Sequence, residues 1–259
     1  MHAVVVAGGV PSPDDPLYPQ TLGSPKALLE LAQKPMTQWV LDALDGSPEV
    51  EAVFVVGLGP SSGLHSRKRL TFVPDHHSLL ANSKAGLASV RTADKNADQA
   101  LVLGGDIPAL TPEIVDWRVR SADPSADLDY IAIERRHMEA RFPGARRTYV
   151  RLRGLEVCGG DINVARIDLA TDDAVWKRLL DARKNVWRQA ALIGWGTLIL
   201  LLLGRLKLED GAEQVSRRLH IRGRAHLCPY AEAGMDVDKP HQVELLRRDL
   251  AGRPGPSQG

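Results

Sequence analysis

Two glycine pairs, one lysine and a strand-end carboxylate are the residues whose type and spacing suit chemistry. Gly8-Gly9 follows the apolar run Ala3 to Ala7 (AVVVA). A buried strand thus ends where the backbone can approach a ligand with no Cβ in the way. After a proline-rich loop comes Ser24-Pro25-Lys26-Ala27-Leu28-Leu29, in which Pro25 suits an early helix position and Lys26 follows at once. Backbone N–H groups at such a turn, joined by a lysine, suit the phosphates of a nucleoside triphosphate. An ordinary strand-to-helix turn with a solvated lysine has the same letters. Gly104-Gly105-Asp106 repeats the arrangement after a second apolar run, Ala100 to Leu103, and adds a carboxylate.

These residues need a frame that brings them together, and the chain alternates strand-like and helix-like segments. Pro35 to Leu44 has apolar residues at helical spacing, and Asp45-Gly46-Ser47-Pro48 stops it. Val53 to Val56, Leu70 to Val73 and Ala100 to Leu103 are short apolar runs that predict strands. Between them, residues 75–87 lead from a loop into a helix, with Asn82 or Ser83 as its cap. Thr111-Pro112-Glu113 opens another helix. Such alternation predicts an α/β fold with three α/β/α layers, a mostly parallel central sheet and right-handed crossovers. Ligands then sit beyond the carboxyl ends of the strands, where both Gly-Gly pairs arrive.

The second half is less regular. Tyr130 to Glu134 and Thr148 to Leu152 read as half-exposed strands flanking a basic loop with Arg135, Arg136, Arg141, Arg146 and Arg147. Arginines there suit bidentate contacts to a phosphate, or a solvated basic face. Cys158-Gly159-Gly160-Asp161-Ile162-Asn163 precedes a strand over 164–167, and residues 172–189 form an amphipathic helix. The run 190–203 (AALIGWGTLILLLL) is too short and too interrupted for a membrane span. It reads as a core helix, with peripheral membrane contact through 190–204 or a homo-dimer interface as the alternatives. Residues 210–220 read as a helix, His226-Leu227 as a strand, and the segment after Pro240 as a terminal helix. The simplest division is one domain over 1–250, with a nucleotide-binding half (1–120), an acceptor half (121–250) and a helical insertion (172–220). A disordered tail follows at 251–259.

Composition is ordinary for a globular chain of 259 residues, 44% hydrophobic and 25% charged. A formal net charge of +1 argues against nucleic acid as the main partner. Cys158 and Cys228 make neither a disulfide framework nor a metal knuckle, so reduced thiols in a cytoplasmic enzyme are expected. No secretory leader is evident. His76-His77 lacks a third ligand at metal spacing and reads as surface or capping.

AVVVAGG, LYP and SPKALLEL together resemble the amino-terminal signature of nucleotidyltransferases with a glycosyltransferase-A-like, Rossmann-like fold. Those include the sugar-phosphate nucleotidyltransferases and the MobA-like enzymes. The likeness continues at LVLGGDIPAL and at DVDKPHQVELL. It implies a magnesium-dependent (or manganese-dependent) enzyme that joins a nucleoside monophosphate to a small phosphorylated metabolite and releases pyrophosphate. By this resemblance Lys26, Asp106 and Asp238 are catalytic, and Asp106 and Asp238 hold the metal, with Asp236 as the alternative to Asp238. Ala7, Gly8 and Gly9 cradle base and phosphates, while Asn82, Ser83 and Gly86 help read base and ribose. Arg147, Gly159, Gly160, Asp161 and Asn163 form the acceptor side. The chemistry agrees, because in-line transfer at phosphorus depends on positioning and charge neutralisation.

One departure from the family pattern stands out. Relatives carry an arginine in the glycine loop, whereas residues 10–24 hold Asp14 and Asp15 and no arginine. Either this loop folds away, or Lys34 or an arginine from the second half substitutes. A glycosyltransferase on the same fold would place a D-x-D near residue 106, where only Asp106 stands. A nucleotide-binding module without turnover is the remaining alternative.

Overall fold

The computed structural model describes residues 1–183, 200, 201 and 203–253. In chain order the first half comprises β1 (His2–Val6), α1 (Tyr18–Thr21), β2 (Glu30–Leu31), β3 (Lys34–Pro35), α2 (Met36–Gly46) and β4 (Ala52–Val56). It continues with β5 (Arg69–Val73), α3 (Leu79–Ala93), β6 (Gln99–Gly104) and α4 (Pro112–Arg120). The second half supplies β7 (Leu128–Glu134), α5 (Arg135–Arg141), β8 (Val150–Leu152), β9 (Leu155–Gly159) and β10 (Ile162–Arg166). Then come α6 (Asp173–Arg183), α7 (Leu208–Leu219), β11 (Gly223–Cys228) and α8 (Pro240–Ala251).

Among the described residues a nine-stranded mixed sheet runs through the molecule in the order β5-β4-β1-β6-β10-β7-β9-β8, with β11 also on β7. From β5 to β6 all pairs are parallel. Strand β10 enters antiparallel to β6, and β7 pairs antiparallel with β10 and β9 and in parallel with β11. All five residues of β1 are buried, because side chains alternate between two covered faces. Ala3, Val5 and Ala7 join the core that includes Met36 and Leu41 of α2, Ile114 of α4 and Val243 of α8. Val4 and Val6 join the opposite core with Leu87 and Val90 of α3 and Trp176 of α6. The three expected layers are therefore present.

Four local expectations are corrected. The stretch at Lys26 is a single 3-10 turn over Lys26–Leu28, not a helix, because Leu29 (ψ 128°) swings the chain into the β2–β3 hairpin. Helix α3 is capped by Ser78, whose hydroxyl accepts from the Ala81 N–H. Asn82 and Ser83 therefore stand inside the helix and do not cap it. The basic loop is largely helix α5, closed by an Arg135–Glu139 pair one turn apart and anchored by buried Met138. Cys158 and Gly159 still belong to β9, leaving Gly160-Asp161 as the only link before β10.

The helix expected over 172–189 is described as Asp173–Arg183, and its remainder lies outside the described residues. So do most of the apolar run 190–203 and residues 254–259 of the tail. No helix among the described residues is long and apolar enough to cross a membrane.

Arg118 of α4 is fully buried and ties this helix to the second half of the sheet. Its guanidinium donates to the Ile162 carbonyl (3.1 Å) and the Asp129 carbonyl (2.7 Å), and lies 3.4 Å from the buried Asp129 carboxylate. Replacing one partner of such a pair leaves an uncompensated charge, at a cost of about 3–5 kcal/mol. Arg118→Met is expected to lower stability by that amount in urea unfolding with an unchanged m-value.

Candidate active site

Three stretches distant in sequence meet at the carboxyl ends of β1 and β6. The Lys26 ammonium lies 2.7 Å from Asp106 and 2.6 Å from Asp238, which is 212 residues away in the chain. Backbone hydrogen bonds fix all three. Lys26 N–H donates to the Gly9 carbonyl, Gly105 N–H to Val6, and Val237 N–H to the Asp106 carbonyl. The Gln242 side chain accepts from the N–H groups of Asp238 (2.8 Å) and Lys239 (2.9 Å), so the cap of α8 also holds Asp238.

Thr37, in the first turn of α2, adds the tie that sequence reading missed. Its buried hydroxyl lies 3.0 Å from the carbonyl oxygens of both Ala27 and Gly105 and donates between them, clamping the Lys26 turn to the Asp106 strand end. Thr37→Val keeps the shape and leaves two buried carbonyls without this donor. Expected results are a loss of about 1–3 kcal/mol in thermal unfolding and a weaker affinity for nucleotide.

A cleft of about 230 Å³ opens beside these residues, lined by Ala7, Gly8, Gly9, Asp15, Lys26 and Asp106 among others. Two of its glycines are closely packed, and Gly9 holds a φ of +136° that favours glycine. A Cβ on Gly8 would lie 2.6 Å from Asp75 Oδ1 and 2.7 Å from Asn82 Nδ2, and one on Gly105 would meet Thr37 Oγ1 at 2.8 Å. Gly57 (φ +100°) lets the end of β4 pass Gly8, since its Cβ would come within 2.2 Å of the Gly8 backbone.

Electrostatics centre on the acids. Burial opposes the charge on Lys26, but Asp106 and Asp238 more than offset it and raise its pKa. Burial, reinforced by Asp106, pushes the Asp161 carboxyl up to about 7, with Arg147 pulling the other way. An acid whose folded pKa exceeds its unfolded value binds more protons when folded, so its contribution to stability falls as pH rises from about 4 to 7. Asp161→Asn is therefore expected to raise the Tm of the nucleotide-free protein at pH 8 and to leave it little changed at pH 4. A thermal-shift series across pH reads this directly.

The same constellation suits a hard divalent cation. Asp106 and Asp238 each present a carboxylate oxygen to the Lys26 ammonium. Two carboxylates completed by phosphate oxygens are a set that suits Mg²⁺, whereas the buried Asp161 does not come close enough to both to join it. Asp236 is engaged elsewhere, in an ion pair with Arg147.

Comparison with known proteins places this cleft in a family. The model of the MobA-like NTP transferase domain matches residues 3–220. The chain belongs to that family. It is thus a nucleotidyltransferase-type enzyme fold, and the solved structures agree. A hypothetical transferase from Thermus thermophilus is 34% identical, with a TM-score of 0.81 over 93% of this chain and 98% of that one. CMP:2-keto-3-deoxy-manno-octonic acid synthetase, solved with CTP, gives a TM-score of 0.59 at 17% identity over 96% of this chain and 98% of that one. The 4-diphosphocytidyl-2C-methyl-D-erythritol synthase of Anaerococcus prevotii gives 0.58 at 10% identity over 96% and 95%. At these last identities the likeness is one of fold. No curated protein matches significantly.

Within this family frame the expected site residues divide. Ala7, Gly8, Gly9, Lys26, Asp106 and Asp238 meet in the cleft. Asn82 stands beside Gly8, but its amide is spent on the loop before α3, accepting from His76 N–H (2.7 Å) and donating to Asp75 (2.8 Å). Ser83 donates to the Leu79 carbonyl of its own helix. Gly86 serves packing, since a Cβ there would lie 2.2 Å from Val4. On the other side Asn163 bridges strands, accepting from Ile131 N–H and donating to the Gly160 carbonyl. Gly160 admits the Ile131 side chain, which a Cβ would meet at 2.5 Å.

Of the arginines, Arg135, Arg136 and Arg141 are paired with glutamates or Asp249, and Arg147 is paired with Asp236 while its charge lowers the pKa of Asp161. Lys34 does not replace the missing loop arginine, because it pairs with Asp42 at 2.5 Å and lies over Trp39. In the glycine loop, Asp15 is turned to its own backbone and accepts from Leu17 N–H at 2.8 Å. Such self-bonding turns leave little signal in sequence beyond the aspartate itself.

Proposed function

We propose that this protein is a Mg²⁺-dependent (or Mn²⁺-dependent) nucleotidyltransferase that moves a nucleoside monophosphate from its triphosphate to a small phosphorylated acceptor. The observation that carries this reading is the Lys26 ammonium held between Asp106 and Asp238 at the mouth of a glycine-walled cleft. Gly8 and Gly9 let the triphosphate approach the backbone, and Lys26 turns to its phosphates once they arrive. Asp106 and Asp238 would hold the cation, whose charge would offset that of the phosphates. The acceptor sits on the side of Gly159, Gly160 and Asp161, where Arg147, paired with Asp236 in the free protein, would turn to its phosphate. An acceptor phosphate oxygen forms the new bond to the α-phosphorus, the bond to the bridging oxygen breaks, and pyrophosphate leaves with that electron pair.

The test is a pyrophosphate-release assay. Each of the four triphosphates with Mg²⁺ is crossed with sugar, polyol and isoprenoid phosphates. Release that needs both a triphosphate and an acceptor supports the reading. Tight Mg²⁺-dependent nucleotide binding with no release from any pairing overturns it in favour of a binding module.

A further inference from the structure

Beyond the polar cleft lies a second cavity, of about 520 Å³, between α7 and the face of the sheet formed by β7, β8, β9 and β11. Its floor is Leu128, Tyr130 and Ala132 of β7, and its walls include Val150, Leu152 and Val215. The volume falls within the range of small-molecule sites. Tyr130 and Val150 are exposed into it, and Leu200 and Leu203, also exposed, flank its lining residue Leu201. The hydroxyl of its one inward serine, Ser216, is spent on Ala212 and Gly223. Apart from Lys207 and Arg224 the lining is almost wholly apolar, so an apolar chain gains more by leaving water here than a polar ligand does.

The cavity extends toward the acceptor side of the active site. Its inner end is Cys158-Gly159, directly before Gly160-Asp161. Tyr130 closes on this point, for a Cβ on Gly159 would lie 2.1 Å from the tyrosine hydroxyl. Burial, and next to it the charge of Asp161, pushes the Tyr130 phenol up to about 12, while Arg147 opposes the shift. The phenol therefore lies at the end of the apolar cavity where the charges of Asp161 and of Arg147, itself paired with Asp236, are felt.

Resting on the nucleotidyltransferase reading above, we propose that the acceptor is a phosphate monoester with an apolar chain. Its phosphate lies at Arg147 and its chain passes Tyr130 into the cavity under α7. The covalent step is the one already given, and it yields a nucleoside diphosphate esterified to the chain.

The experiment is a series of linear alkyl phosphates, from ethyl to decyl, each below its micelle concentration, assayed for pyrophosphate release. Expected is a rise in kcat/KM of about fourfold per methylene until the cavity is full, and loss of that rise in Val215→Trp. Calorimetry of decyl phosphate binding without turnover should show at least tenfold tighter binding than ethyl phosphate. A flat series in the unsubstituted protein overturns the proposal, including the case in which a second copy fills the cavity. Transfer to sugar phosphates but to no alkyl phosphate also overturns it, and leaves the nucleotidyltransferase reading standing. Absence of release with every acceptor defeats that reading instead, and the calorimetric comparison then decides the cavity's ligand alone.

Discussion

Asp106→Asn is expected to lower kcat on the order of 10³-fold and to abolish the Mg²⁺ dependence of nucleotide binding. The substitution keeps the shape of the side chain and removes one charge. Fixed charge aimed at the transferring phosphoryl group is worth about 10²–10³ in rate per group, and a cation that also loses a ligand adds to this. The fold should tolerate the change. Asp106 is half-exposed, its backbone ties to Val237 do not involve the carboxylate, and one acid fewer relieves its neighbour Asp161. Equal Tm with lost turnover is thus the predicted pattern. Calorimetry of triphosphate binding with and without Mg²⁺ reads the metal directly. Unchanged Mg²⁺-dependent binding in Asp106→Asn would falsify the assignment of Asp106 as a ligand.

Lys26→Met is expected to act on both function and stability. In turnover it removes a cation from the triphosphate, with a loss of about 10²–10³ in kcat/KM expressed partly as a higher KM for nucleotide. In the free protein it leaves Asp106 and Asp238 facing each other beside Asp161 with no counter-charge. The sign of the pH effect follows from the raised pKa of Lys26. Its contribution to stability is complete below the ordinary lysine value of 10.5 and fades only as pH rises through the higher folded value. At pH 7 the variant therefore loses all of it. Thermal unfolding at pH 7 should show this deficit, and the gap to the unsubstituted protein should close as pH rises through the raised Lys26 value and its ammonium is lost. A deficit unchanged at that high pH would place Lys26 outside the acidic cluster in solution.

Much of this was legible in the letters because it rests on local rules. Apolar runs ending in Gly-Gly mark buried strands that must turn close to something, and β1 and β6 fall where those runs stand. Pro112 after Thr111 and Pro240 after Lys239 open helices as their fixed φ requires. Where sequence reading failed, a longer-range term decided. Pro25 predicts a helix at Lys26, but the hairpin that follows takes the chain away after one turn. The run of arginines predicts phosphate contacts or a solvated face, yet Glu156, Glu232 and Asp249 reach Arg135 and Arg141 across 21, 91 and 108 residues.

The sequence alone determined the α/β class, the two glycine-rich strand ends and the types of group available for chemistry. Backbone sterics and hydrophobic alternation act over a few residues, so those features could be read without coordinates. Only the tertiary structure shows the different partners of Asp236 and Asp238. One pairs with Arg147 and the other with Lys26. It also revealed Thr37 as the clamp between Ala27 and Gly105, and Gly86 as a position where a side chain would strike Val4. Which charge meets which, and which glycine faces a ligand, is settled by the approach of segments far apart in the chain. No spacing rule along the chain encodes that approach.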